Sequence, residues 1–467
     1  MRARTRTLAS TGILLLVALG AVAFAFYGVE KKDEAKAALK NAEEKLFHFE
    51  PARVNAISLE AKGETTRLVR KDGAWRLAAP VEAEAERAAV DALVDGVAHL
   101  KRKAAISSKP DGTSLSRYGL TSPRARVTLT LEGGKSETLA LGEENAFDGS
   151  AFVETSRGEV DLVDGGVKWW LEKNAFDLRD KRLLPFEEED LAQLEIATPH
   201  LRYALTREKG HYRLAAPVAE AADEGTVSNV LSAVRGLRAT SFVSSPAQPA
   251  AYGLDHPAYS VKLVTKSGAS RQLDIGEGPP PPGPEGKPSE KAGAKIYARL
   301  LGSSEVAGLA SGATSGLDVD LFALRDKKVL HFDREKVALV RFTVKGTTFE
   351  GKAGTGPGKV SDALFALSSL AAKSFPEAAA SSFGLDHPTT EVVLLDERGQ
   401  KLDRLVLSEQ AGKTYARSDS SPRPAEVDPS DLTALPKGAG DLASPPALAS
   451  PGPGGASGRV DPGRPSP

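Results

Sequence analysis

Two short stretches place an acid directly before a histidine: Asp255-His256 in YGLDHP (252–257) and Asp386-His387 in FGLDHP (383–388). An imidazole beside a carboxylate can serve as a general acid or base near neutral pH, because the carboxylate fixes one ring nitrogen and tunes the proton on the other. The same corner occurs a third time as YGLTSP (118–123), with Thr121-Ser122 where the acid and histidine stand. What stays in all three is an aromatic, Gly, Leu and Pro. Gly permits a sharp turn at positive φ, the aromatic and Leu can plug a core, and Pro biases the residue before it toward extended backbone. The corners are therefore expected to be structural. His256 and His387 become linkers ahead of a proline, and Asp255 and Asp386 acceptors for a backbone N–H in the turn.

Other candidate chemistry fails on spacing. GTGPGKVS (354–361) lacks the first glycine of a phosphate loop, since Ala353 stands there, and Val360 rather than Ser or Thr follows Lys359. It is expected to be a strand-to-helix loop. SGATSG (311–316) has its serine one position late for a hydrolase elbow and is expected to be a flexible loop. The seven histidines, at 48, 99, 200, 211, 256, 331 and 387, show no metal-ligand spacing. Trp169-Trp170 open VKWWLEKNAFDL, expected to be one amphipathic helix. Neighbours on a helix diverge by about 100°, so at most one indole can enter the core. The acidic run 187–190 is expected to be a solvated first turn or loop. No catalytic, cofactor-binding or metal-ligating residue is assigned.

The elements that position these corners form a long chain of balanced charge. Its 61 basic and 62 acidic side chains, among 467 residues, favour neither nucleic acid nor an acidic partner. There is no cysteine, which removes disulfides, thiolate zinc sites, cysteine nucleophiles and a lipid-modified terminus. After Arg2, Arg4 and Arg6, residues 7–29 carry no charge, and 23 helical residues span about 34 Å, enough for a bilayer. A cleaved signal peptide is the rival, because Ala21-Val22-Ala23 fits a cleavage pattern. The anchor is preferred, because apolar residues continue through Phe24 and Phe26 to Tyr27. The leading arginines then place the N-terminus in the cytoplasm and the bulk of the chain outside.

The exported part repeats itself. FHFEPARVNAISL, LPFEEEDLAQLEI and LHFDREKVALVRF share an aromatic-acid step at Phe49, Phe186 and Phe332, and the first two lie 137 residues apart. GAWRLAAPVEAEA from Gly73 matches GHYRLAAPVAEAA from Gly210 at that same shift. Apolar stripes at helical spacing follow in each copy: Val90, Leu93, Val94, Val97, Leu100; Val227, Val230, Leu231, Val234, Leu237; Val360, Ala363, Leu364, Leu367, Leu370. Alternating hairpin strands come after each corner, then an acid-valine pair at Glu159-Val160, Glu305-Val306 and Glu426-Val427. FDLRDKRLLPF and FALRDKKVLHF hand the chain into the next copy with little free linker.

The aromatic-acid opening, the W-x-L-x-x-P strand before a helix, and the Y/F-G-L-x-x-P corner together resemble the DUF4340 family of bacterial membrane-anchored proteins, in three tandem copies over about 47–435. That family has no assigned activity. The resemblance implies an accessory role at the cell envelope, beside ABC-type transport systems, and carries no catalytic residues with it.

The expected fold class is α+β, three tandem repeats of antiparallel sheet with packed amphipathic helices behind one N-terminal transmembrane helix. The expected divisions are a basic cytoplasmic segment 1–6, the anchor 7–29, a polar juxtamembrane helix 30–46 and repeats at 47–183, 184–329 and 330–435. A Pro/Gly-rich insert at 278–293 and a disordered tail at 436–467 complete them. The expected function is a non-enzymatic scaffold or accessory protein of the bacterial inner membrane, single-pass with most of the chain in the periplasm. Its expected partners are membrane or envelope proteins, possible ABC transporter subunits among them, with no nucleic acid and no cofactor. The alternatives are an envelope enzyme acting on glycan, peptide or lipid between repeats, and a lipid- or ligand-sensing module.

Overall fold

The computed structural model describes residues 44–243, 248–278, 295–354 and 358–442. The expected membrane segment, nearly all of the polar stretch 30–46, most of the proline-rich insert and residues 443–467 lie outside the described residues. Among the described residues no helix is long and apolar enough to cross a bilayer.

The first sheet comprises β1 (Val54–Ala61), β2 (Glu64–Lys71), β3 (Ala74–Ala79), β4 (Ala83–Glu84), β5 (Ala104–Ser107), β6 (Ala125–Leu131), β7 (Ser136–Glu144), β8 (Ala151–Thr155) and β9 (Val160–Val163). They run β4-β3-β2-β1-β6-β7-β8-β9-β5, antiparallel throughout. Alternation sets the inner face: along β6, Ala125, Val127, Leu129 and Leu131 are buried and the residues between them only half-buried. Helix α1 (Arg87–Ala98) lays Val90, Leu93, Val94 and Val97 on that face, each buried. Each such side chain contributes roughly 1.5 to 3 kcal/mol gross, which fixes the helix to its sheet.

The second sheet repeats that nine-strand order position for position, from Leu191–Ala197 to Val306–Leu309, with α2 (Glu224–Arg235) burying Val227, Val230, Leu231 and Val234. Among the described residues the third has seven strands in the same order, without counterparts of β3 and β4, and is covered by α3 (Lys359–Ser369). Each sheet carries its own core.

The third sheet also differs from the others in its core. Leu68 and Leu205 sit at equivalent core positions of the first two sheets, opposite Ile57 and Leu194, and are essentially fully buried. Opposite Val340 the third sheet has Gly351, where a Cβ would lie 2.5 Å from Val360 Cγ2 and 3.3 Å from Leu442 Cδ1. The start of α3 and Leu442 thus occupy the space that a leucine fills elsewhere.

Several expectations need correction. VKWWLEKNAFDL forms two one-turn helices, Lys168–Leu171 and Ala175–Leu178, because Asn174 and Asp177 exchange hydrogen bonds in a capping box that starts a second helix. Trp170 packs on the first core while Trp169 stays exposed. SGATSG does not hang free: Thr314 is buried, and the adjoining Leu317 is buried with its carbonyl accepting from the Tyr203 hydroxyl at 3.1 Å. Structure also runs past the expected tail start at 436, since Ala439–Leu442 form a turn and Leu442 packs on the third core. Leu183 belongs with Leu184 to the second core, and Val329 with Leu330 to the third, so the divisions at 183/184 and 329/330 fall inside the following units.

Candidate functional site at the corners and joints

The three corners share one construction. Gly119, Gly253 and Gly384 adopt φ of +69°, +65° and +71°, the left-handed region open to glycine. The next residues, Leu120, Leu254 and Leu385, are buried in small satellite cores. The aromatics Tyr118, Tyr252 and Phe383 pair with Phe152, Tyr297 and Tyr415 at ring separations of 4.5, 4.9 and 4.4 Å. The polar residues face water: Asp255, His256, Asp386 and His387 are all exposed. Asp255 accepts the His256 backbone N–H at 3.0 Å, and Asp386 lies 3.8 Å from Arg417. The corners therefore shape the backbone, and among the described residues they bring no acid from another unit to either histidine.

The closing segments noted in the sequence form joints without slack. Asp180 N–H donates to Glu84 O of the first unit at 2.9 Å, while the next carbonyl, of Lys181, accepts from Ala239 of the second at 2.8 Å. Asp326 and Lys327 repeat this, to Ala221 O at 3.0 Å and from Ala372 N at 2.8 Å. At the first joint Arg179 binds Glu305 through both terminal nitrogens, Nη1 to Oε1 at 2.7 Å. Its guanidinium stacks 3.5 Å from the Phe242 ring centroid, and Phe176 closes on Phe242 at 6.0 Å. Planar geometry lets arginine serve both partners at once.

The second joint uses the same aromatic frame and a different acid. Phe322 meets Phe375 at 5.7 Å with Arg325 over Phe375 at 5.5 Å, but Arg325 Nε lies 3.3 Å from Glu220 Oε2, within its own unit. Arg423 of the third unit takes the other Glu220 oxygen. Burial, and then the like charge of Arg423, lower the Arg325 pKa from its usual value. Beside them His331 Nε2 lies 2.7 Å from Asp326 Oδ2. That bond raises the histidine pKa against the effect of burial. Burial opposes the Asp326 charge, yet the hydrogen bonds from His331 and the Lys328 N–H outweigh it and hold the carboxyl low.

A cleft of about 730 Å³ opens here, lined among others by Arg213, Glu220, Arg325, His331, Glu377 and Arg423. Ser420 also reaches it: its hydroxyl donates to Asp403 at 2.5 Å and accepts the His331 backbone N–H at 3.2 Å, while the His331 ring faces Asp326. Among the described residues no group of three or more potential ligands is placed to hold a metal. Residues 75–257 match the model of DUF4340, a domain of unknown function. The DUF4340 match begins in β3 of the first sheet and ends at the proline of the second unit's corner, so it straddles the first joint. No curated protein and no solved structure matches the chain.

Sequence reasoning passed over Arg179, Phe242, Glu305, Glu220, Arg325 and Arg423 as functional residues. The signal that could have found Arg179 and Arg325 is the repeated Phe-x-Leu-Arg-Asp-Lys step at 176–181 and 322–327, with Asp and then Ala at the second place; the other four carry no such signal.

Proposed function

We propose that the protein is a non-enzymatic scaffold or accessory protein of the bacterial envelope, built from three DUF4340-type units and held at the inner membrane by residues 7–29. The observation that carries this reading is the corner: glycine, leucine and aromatic do the same conformational work three times, while the polar pair varies and faces water. A chain that keeps its shape-giving residues and joins its units by short, hydrogen-bonded segments suits the display of surfaces to other proteins. Its partners would be envelope proteins, with ABC-type transporter subunits the class that the family resemblance suggests. Crosslinking in native membranes, followed by mass spectrometry of what co-purifies, tests it. Recovery of membrane-protein partners supports the scaffold; recovery of the chain alone, together with turnover of an envelope polymer by the purified protein, overturns it.

One observation favours the enzyme reading, the cleft holding Asp326, His331 and Ser420. Loss of such turnover in Asp326→Asn, with the fold intact, would place the reaction there.

A further inference from the structure

We propose that one end of the first unit rests on the bilayer surface, through the side chains of Phe147 and Trp169. These are exposed by 97 % and 72 %, the most exposed of the large apolar side chains among the described residues. They sit on adjoining turns. Lys168 Nζ bonds Glu144 Oε1 at 2.9 Å, and Lys103 Nζ lies 3.2 Å from Ser150 Oγ and 3.5 Å from Asp164 Oδ2, which ties the turn carrying Phe147 to the one leading into Trp169.

The chain enters along the β5–β9 edge of the same unit. Arg102, next to Lys103, donates its backbone N–H to Glu44 O at 2.8 Å, and Arg157, in the turn at the other end of β8 and β9, donates to Leu46 O at 3.0 Å. Only 14 residues, 30–43, separate Glu44 from the uncharged segment 7–29. Fully extended they reach about 50 Å, and less in any folded form. The proposal rests on the membrane anchor of the preceding reading, and it adds which face of the exported part meets the lipid.

Among the described residues the later units lack these tips. Where the first has the Phe147 turn, the third turns tightly through Ala411-Gly412; where the first has Trp169, before a buried Leu171, the second has Ser315 before a buried Leu317. The rings are thus confined to the unit that follows the anchor. Trp170 is pinned against α1, which fixes Trp169 pointing outward, and Lys168 lies 5.3 Å from its ring, the mixed apolar and cationic character that suits the headgroup region. Nearby charges are paired with one another, so neutral lipid suffices, and tethering supplies the local concentration that two rings alone would not.

The test uses the full chain in phosphatidylcholine nanodiscs carrying lipids brominated near the headgroup. Bromine should dim the tryptophan emission of the wild type and have little effect on Trp169→Phe, because Trp75 is buried and Trp170 packs on the core. Phe147→Asp should lose most of the quenching, and raising the salt should leave it unchanged. Equal quenching in the wild type and Trp169→Phe overturns the proposal. Retention of the chain in discs through an alkaline wash reads the anchor separately. A chain that washes out lacks the tether on which the contact depends and overturns the anchor together with the proposal, whereas a retained chain with equal quenching in both proteins overturns the proposal alone.

Discussion

Trp170 lies against Gly96 so closely that a Cβ on the glycine would come within 2.7 Å of the indole. The second unit reverses the pair: its helix carries Ala233 and the facing turn Gly316, where a Cβ would sit 2.6 Å from that of Ala233. Bulk moves from one side of the contact to the other while the helix keeps its place.

Gly96→Ala should therefore destabilise the first unit by about 1 to 3 kcal/mol, an overpacking cost, although alanine favours a helix. Gly96→Ala combined with Trp170→Gly should lose less than the two single variants summed. Urea denaturation of both single variants and the double variant gives the coupling; strictly additive losses would mean that the indole yields without cost.

At the corners, Leu254→Ala should cost about 2 to 5 kcal/mol, as a buried side chain leaves a cavity. His256→Ala, at an exposed position, should stay within about 0.5 kcal/mol. Gly253→Ala should be severe, since the backbone holds φ at +65° and the new methyl would run into the Glu277 carbonyl. Thermal unfolding of the three variants ranks them. A large loss in His256→Ala would undo the structural account of the corner.

Removing Arg179 should act on the first joint more than on either core. Its charge-assisted bonds to Glu305 contribute on the order of 2 to 3 kcal/mol, and Arg179→Met keeps much of the contact with Phe242. The expected outcome is faster backbone hydrogen exchange at residues 179–183 and 239–243, with strands β1 and β6 unchanged. Uniformly faster exchange through both units would show that the joint and the cores unfold together.

The second joint should depend on pH. The His331 pKa is raised from 6.5, so its contribution is complete below about 6.5 and is lost as the pH rises through the folded value. The Asp326 pKa is lowered from 3.8, so its contribution holds above about 3.8 and is lost as the pH falls through the folded value. The joint is expected to be tightest between these limits and to loosen on the alkaline side. His331→Gln should flatten that alkaline limb, as read by hydrogen exchange at residues 326–331 across pH 5 to 9. An unchanged slope in the variant would assign the effect to another group.

The fold was legible wherever burial imposes a period. The stripes at Val90, Val227 and Val360, the alternation of β6, and the corner with its αL glycine all follow from geometry repeating over a few residues. The Arg179–Glu305 contact spans 126 residues and leaves no local pattern, so only the recurrence of the Arg-Asp-Lys step hinted at it. The split at Asn174 escaped because two one-turn helices preserve the spacing of one long one. Leu442 was hidden by composition: Gly438, Ala439 and Gly440 resemble the tail that follows, and the anchor for that leucine, Gly351, lies far back in the chain.

The substitution of Gly351 for the leucine of the sister strands makes the third unit non-interchangeable with the others. A Leu68-like side chain grafted there would strike Val360 and Leu442 before any extra strand could add alongside. Chimaeras that shuffle units as whole cassettes respect this partnership. Those that exchange single strands break it, so the smallest portable piece at this end of the protein is the entire sheet together with its helix and closing turn.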